Sequence, residues 1–152
     1  MMHIDFTNKR VLVTGGTRGI GRGSVEAFFK AGARVAINGR TAKSTAAAIA
    51  ALGDSDRLLA APGDVATAAG CEAVVGAAVA GLGGLDVLVN CAGVGKGGRI
   101  EDFDETAWDA MLDINLKGAW LVARHVIPHL IRQRSGVIIN NSSVAGLRGM
   151  NR

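Results

Sequence analysis

The chain has 152 residues, 49% of them apolar and 20% charged, which suits one folded domain and excludes disorder by composition. Its net charge of +4 is compatible with nucleic acid, a membrane surface or a phosphate-bearing ligand. No apolar run approaches the roughly 18 residues of a membrane span, the opening Met1-Met2-His3-Ile4-Asp5 lacks a signal-peptide pattern, and the basic residues are scattered without aromatic interleaving, so a nucleic-acid face is not expected.

Short apolar, β-branched runs at 10–14, 34–38, 58–61, 85–90 and 136–141 predict five strands buried on both faces, as in a parallel sheet. Between them, Ala-rich stretches with helical spacing predict helices over 19–31, 42–51, 67–80 and 105–133. This alternation predicts βαβ units with right-handed crossovers, and therefore an α/β fold in one domain without a linker. The last helix should carry Trp108, Met111, Leu112, Asn115, Ala119, Val122 and Val126 along one apolar face, with Pro128 kinking its end. The chain contains 22 Gly, about twice the usual share, which points to tight backbone turns.

The first predicted strand runs straight into Thr14-Gly15-Gly16-Thr17-Arg18-Gly19-Ile20-Gly21, and a helix follows. A glycine turn between a strand and a helix brings backbone N–H groups at the helix N-terminus close to an anion, where side chains would hold a pyrophosphate away. Its position after the first strand of a βαβ unit is the setting of a dinucleotide fingerprint.

From this turn onward the chain resembles the short-chain dehydrogenase/reductase family, and its 3-oxoacyl-(carrier protein) reductase-like members in particular. The family fingerprint Thr-Gly-x-x-x-Gly-x-Gly is met by Thr14, Gly15, Gly19 and Gly21. Further along, Asp64-Val65 resembles the pair that holds the adenine ring, and Asn90-Cys91-Ala92-Gly93 resembles Asn-Asn-Ala-Gly with Cys at its second place. Asn115 matches the active-site helix Asn, and Ser143 of the Ser142-Ser143 pair matches the catalytic Ser. The resemblance implies a Rossmann-type doubly wound sheet of order 3-2-1-4-5 with the fifth strand at an edge, and two further strands in the full family fold. It also implies hydride transfer between a nicotinamide and a carbonyl or alcohol, with Ser143 bonding the substrate oxygen and Asn115 holding a water.

The cofactor follows from charge after the second strand. NAD sites commonly place an acid there, whereas the chain reads Asn38-Gly39-Arg40-Thr41. A carboxylate would repel a 2′-phosphate and an Arg would pair with it, so Arg40, with Arg18 approaching from the other side, predicts NADP rather than NAD.

The family's proton-transfer pair is a Tyr-x-x-x-Lys beyond the Ser, and the 152 residues contain no Tyr. The resemblance thus implies a C-terminally truncated chain that is inactive by itself, ending at residues 148–152, where the family has a flexible segment before the Tyr helix. Such a polypeptide is expected to be marginal, dimeric or swapped in solution, because its last strand is an apolar edge. A different reading of the same residues is a non-catalytic module that senses or sequesters NADP. Lys96 and Arg99 are candidate substrate contacts, and Glu101, Asp102, Asp104 and Glu105 form a helix-start cluster. His125 and His129 lack a third metal ligand, and Trp108 and Trp120 suit core or interface packing. Cys71 and Cys91, without CxxC spacing, fit reduced thiols in a cytoplasmic homo-oligomer that meets a small-molecule substrate and no membrane.

Overall fold

The computed structural model describes residues 4–148; residues 149–152, which include most of the expected flexible segment, lie outside the described residues. Five strands, β1 (Arg10–Thr14), β2 (Arg34–Ile37), β3 (Leu58–Ala60), β4 (Val87–Asn90) and β5 (Val137–Asn140), form one parallel sheet of order β3-β2-β1-β4-β5. The helices are α1 (Gly19–Lys30), α2 (Ala42–Ala50), α3 (Ala68–Leu82), α4 (Glu105–Leu112) and α5 (Ala119–Gln133).

Alternation along each strand divides the core between the two faces of the sheet. Leu12, Ala36 and Leu88 point one way, onto Val74, Val75 and Ala78 of α3 and Leu121, Val122 and Val126 of α5. Val11, Val13, Val35 and Ile37 point the other way, onto Val25 of α1 and the Phe6 and Phe28 rings. Each of the buried Val, Leu and Ile side chains among them contributes about 1.5–3 kcal/mol through burial. β5 departs from the expectation of a strand buried on both faces: Val137 is 55% and Ile139 43% exposed, because β5 is the sheet edge.

The expected single helix over 105–133 is interrupted. Between α4 and α5 the backbone forms a π-helical segment, Asp113–Gly118. A π turn holds an extra residue, which rotates the following side chains by about 100° relative to a regular helix. The apolar face therefore does not run through: Val122 and Val126 are buried, whereas Trp108, Leu112 and Trp120 are exposed. The core reading of the two Trp residues is thus corrected; Trp120 instead lies on the surface beneath the Arg124 guanidinium, 5.6 Å away. The helix continues through Pro128 and ends at Arg134, whose φ of 53° is left-handed.

Much of the positive charge has a structural use at the N-terminal edge of the sheet, away from the glycine turn. Arg34 donates to the Leu82 and Gly81 carbonyls at the end of α3, and Arg57 donates to the Phe29 carbonyl in the last turn of α1 and to the Ala33 carbonyl before β2. Both satisfy helix-end carbonyls that lack intrahelical partners. Arg10 pairs with Asp86 at 2.8 Å and donates to the Gly83 carbonyl. The Arg10 hydrogen bond holds the Asp86 carboxyl below its ordinary range despite partial burial.

Candidate functional site

The parallel register brings the C-terminal ends of β1, β4 and β5 level, with Thr14 beside Asn90 and Asn90 beside Asn140. Beyond these ends lies a cleft of about 900 Å³, at the place where an open α/β sheet offers room to a ligand.

Its floor is the glycine turn. Thr14 is buried behind the cleft, and its Oγ1 accepts from the Cys91 and Ala92 N–H groups at 3.1 Å each, locking the loop after β4 against the turn. Gly15 has φ +62°, and a Cβ there would stand 2.7 Å from Ala92 Cα. A Cβ on Gly21 would collide with the Gly15 carbonyl, so this contact between helix and turn requires glycine. Arg18 precedes α1 without a side-chain cap, and the first turn of α1 carries no acid. The N–H groups of that turn are therefore open to an anion, with the positive end of the helix dipole behind them. Together these features fit a dinucleotide pyrophosphate: a cradle that side chains would fill, facing unsatisfied donors.

Thr17, Arg18, Gly19, Ile20, Arg40 and Thr41 line the wall on one side. Thr41 caps α2, its Oγ1 accepting from the Ser44 N–H at 3.2 Å. Among the described residues the Arg18 and Arg40 side chains make no hydrogen bond or ion pair, unlike Arg10, Arg34 and Arg57. No side chain fits at Gly39 without a shift, since a Cβ would come within 2.5 Å of Thr17 Cγ2.

Asp64 and Val65 border the cleft after β3, and Asp64 is the one carboxylate among the lining residues. One carboxylate oxygen accepts from the Ala66 N–H at 3.0 Å. Across the cleft stand Ala92, Gly93 and Val94, with Asn115 behind them. The Asn115 carboxamide grips Val94 at both ends, accepting from its N–H and donating to its carbonyl at 2.9 Å each. Asn115 belongs to the π segment, whose Gly118 packs so tightly on the Val65 carbonyl that a Cβ would stand 2.7 Å from it. Ser143 lies on the last wall, where its Oγ accepts from the Ala145 N–H at 3.2 Å.

The residues assigned from the sequence to cofactor binding and catalysis thus gather around one cleft, except Thr14 and Asn90, which stand behind its wall. Asn90 is 5% exposed and donates to Asn140 Oδ1 at 2.9 Å, joining β4 to β5. Lys96 and Arg99 do not line the cleft; Lys96 faces Asp104 at 3.7 Å and Arg99 pairs with Glu101. Asp104 caps α4 by accepting from the Thr106 N–H, as the helix-start cluster predicts. Asn38, Ser44, Gly63 and Asn141 also line the cleft, and only the polarity of Asn38 at the end of an apolar strand signals its role in the sequence. Cys91 lines the cleft as a free thiol, while Cys71 is buried against the Val65 carbonyl at 3.2 Å. Burial first, and then the Asp64 charge, raise the Cys71 thiol above its ordinary range.

Residues 9–152 match the model of the short chain dehydrogenase family. A 3-oxoacyl-(acyl-carrier-protein) reductase of Staphylococcus aureus is 40% identical over an alignment of 146 positions that covers 93% of this chain and 58% of that protein. A 3-alpha-(or 20-beta)-hydroxysteroid dehydrogenase of Mycobacterium bovis is 40% identical over 141 residues, 93% of this chain and 54% of the relative. The solved structure of a short-chain dehydrogenase/reductase (glucose/ribitol dehydrogenase) from Brucella melitensis superposes with a TM-score of 0.89 at 27% identity, covering 98% of this chain and 62% of that one. The chain therefore spans a little over half the length of the curated relatives it matches. It belongs to the short chain dehydrogenase family.

Proposed function

We propose that the cleft binds NADP(H) and that residues 1–152 are the cofactor-binding part of a Rossmann domain in an NADP-dependent oxidoreductase acting on a carbonyl or alcohol. The carrying observation is the pair of guanidinium groups, Arg18 and Arg40, without partners among the described residues at the rim of the glycine cradle. Two cations that satisfy nothing within the fold suit a 2′-phosphate, and the glycine at position 39 leaves no acid to repel it. The names of the Staphylococcus and Mycobacterium relatives, a ketone reductase and an alcohol dehydrogenase, support the substrate class.

When bound, the nicotinamide supplies or accepts the hydride. The chain's own residues orient and polarise. Asp64 retains a carboxylate oxygen for the adenine amino group, and the α1 N–H groups take the pyrophosphate. Because the Ser143 oxygen accepts from Ala145, its hydroxyl hydrogen is free to donate to a substrate oxygen. Asn115 engages Val94 with both ends of its carboxamide, so it acts as a positioning residue that holds the loop of Ala92 and Gly93 in place. With no Tyr in the chain, Ser143 and Asn115 are the two members of the family's catalytic set that it carries. A second reading of the same residues is a module that binds NADP without turning over. Both readings place the protein in the cytoplasm as a homo-oligomer.

Titrating the chain with NADPH and with NADH, following nicotinamide fluorescence, tests the cofactor assignment. NADPH is expected to bind at least about tenfold more tightly. Equal affinities would overturn the assignment. NADPH oxidation with simple ketones separates the two readings: turnover by the chain alone would contradict the non-catalytic one.

A further inference from the structure

We infer that Asn38 is the positioning residue that fixes the three loops of the dinucleotide cleft to one another, an inference that rests on the dinucleotide reading of that cleft. Asn38 follows β2 and is 2% exposed. Its Oδ1 accepts from the Gly15 N–H at 3.2 Å. Its Nδ2 donates to the Ala61 carbonyl at 2.9 Å and the Gly63 carbonyl at 3.1 Å, with the Gly39 carbonyl at 3.3 Å sharing a hydrogen. Gly15 opens the glycine turn, Gly39 precedes Arg40, and Gly63 precedes Asp64. One carboxamide therefore touches the segments proposed to hold the pyrophosphate, the 2′-phosphate and the adenine.

The orientation of the amide is fixed by its surroundings. Reversing it would set Oδ1 against three carbonyls and an NH2 group against the Gly15 N–H. No other side-chain chemistry of this size offers one acceptor and two donors along the same directions; Asp would offer acceptors alone.

The strands do not depend on this side chain. The Asn38 backbone bonds Val13 and Gly16 by itself, through Asn38 N–H to the Val13 carbonyl at 2.9 Å and Gly16 N–H to the Asn38 carbonyl at 2.8 Å. Gly63 N–H reaches the Gly39 carbonyl at 3.0 Å. What the carboxamide adds is the register of the Gly15 turn against the loops after β2 and β3, so that the three binding segments are set before the ligand arrives. Such preorganisation raises affinity by removing the ordering cost of binding.

The test compares the parent chain with Asn38→Ala and Asn38→Ser, at a temperature where circular dichroism shows each folded. NADPH affinity should fall about tenfold or more in both variants. Amide hydrogen exchange should quicken together at residues 15–16, 39–41 and 63–65, while β1 and β2 core amides exchange as in the parent. Variants that bind NADPH as tightly as a binding parent would overturn this inference alone, as would faster exchange at one loop only. Failure of the parent to bind NADPH would overturn the dinucleotide reading and this inference with it. If neither variant folds, the parent decides: the Asn38 side-chain amide and the Gly15 N–H should be protected from solvent exchange without ligand. Exchange at free-peptide rates at either group would overturn the inference.

Discussion

Replacing Arg40 with Asp reverses one charge at the rim of the cleft and disturbs nothing within the fold. Arg40 is exposed and, among the described residues, its side chain makes no hydrogen bond or ion pair, so the variant should melt like the parent. Toward a 2′-phosphate the change has two parts, since an attraction is lost and a repulsion is gained. Unit charges 4 Å apart interact by about 1 kcal/mol in bulk water and about 4 kcal/mol near a protein surface of effective dielectric 20. An exposed rim in salt lies toward the lower figure, and Arg18 remains as a second cation. About 2 kcal/mol in total, or roughly thirtyfold weaker NADPH binding, is the expected result. Nicotinamide fluorescence titrations of both proteins with NADPH and NADH, at two ionic strengths, provide the assay. The NADPH loss should shrink as salt is raised, and NADH affinity should stay the same or rise. An unchanged NADPH affinity would refute the assignment of Arg40 to the phosphate, and an equal loss for NADH would show that the charge acts elsewhere on the dinucleotide.

Three other perturbations address the cradle, the acid dependence of the fold and the thiols. Gly21→Ala should abolish measurable dinucleotide binding and lower stability by about 1–3 kcal/mol in urea melts, because its Cβ meets the Gly15 carbonyl; parent-like binding would show that the turn can open. Asp86, held below its ordinary range chiefly by Arg10, stabilises the fold above the unfolded carboxylate pKa of about 3.9 and loses that contribution as pH falls through its folded value. Asp86→Asn should therefore cost about 1–3 kcal/mol at pH 7, with the gap to the parent narrowing at strongly acid pH; a gap constant from pH 7 to pH 2 would contradict the pairing. Iodoacetamide followed by peptide mass spectrometry should modify Cys91 well before the buried Cys71, and bound NADPH should slow the Cys91 reaction, whereas faster labelling of Cys71 would contradict the packing.

The parts of the molecule legible in the sequence are those governed by local pattern. Runs such as Val11-Leu12-Val13 and Val87-Leu88-Val89 declare buried parallel strands, and the turn from Thr14 to Gly21 declares the cradle because its glycines stand at fixed spacing on one chain segment. What stays hidden depends on contacts between distant segments. Asn38 has partners 23 residues before it and 23 and 25 residues after it, and no spacing rule links them. The π segment breaks the periodicity on which the apolar face from Trp108 to Val126 is projected, since one inserted residue turns α4 away from the core. The arginines illustrate the same limit. Composition counts Arg34 and Arg57 with Arg40, yet the first two are bound to helix-end carbonyls at the opposite edge of the sheet.

Whether the cleft beyond β1, β4 and β5 is an NADP site is decided by titrating 15N-labelled chain with NADP+ and following it by NMR. Amide shifts should concentrate at Gly15 to Gly21, at Arg40 and Thr41, at Asp64 and Val65, and at Ala92 to Val94, with the N-terminal edge of the sheet unchanged. Shifts confined to that opposite edge, or none at millimolar NADP+, would contradict the account.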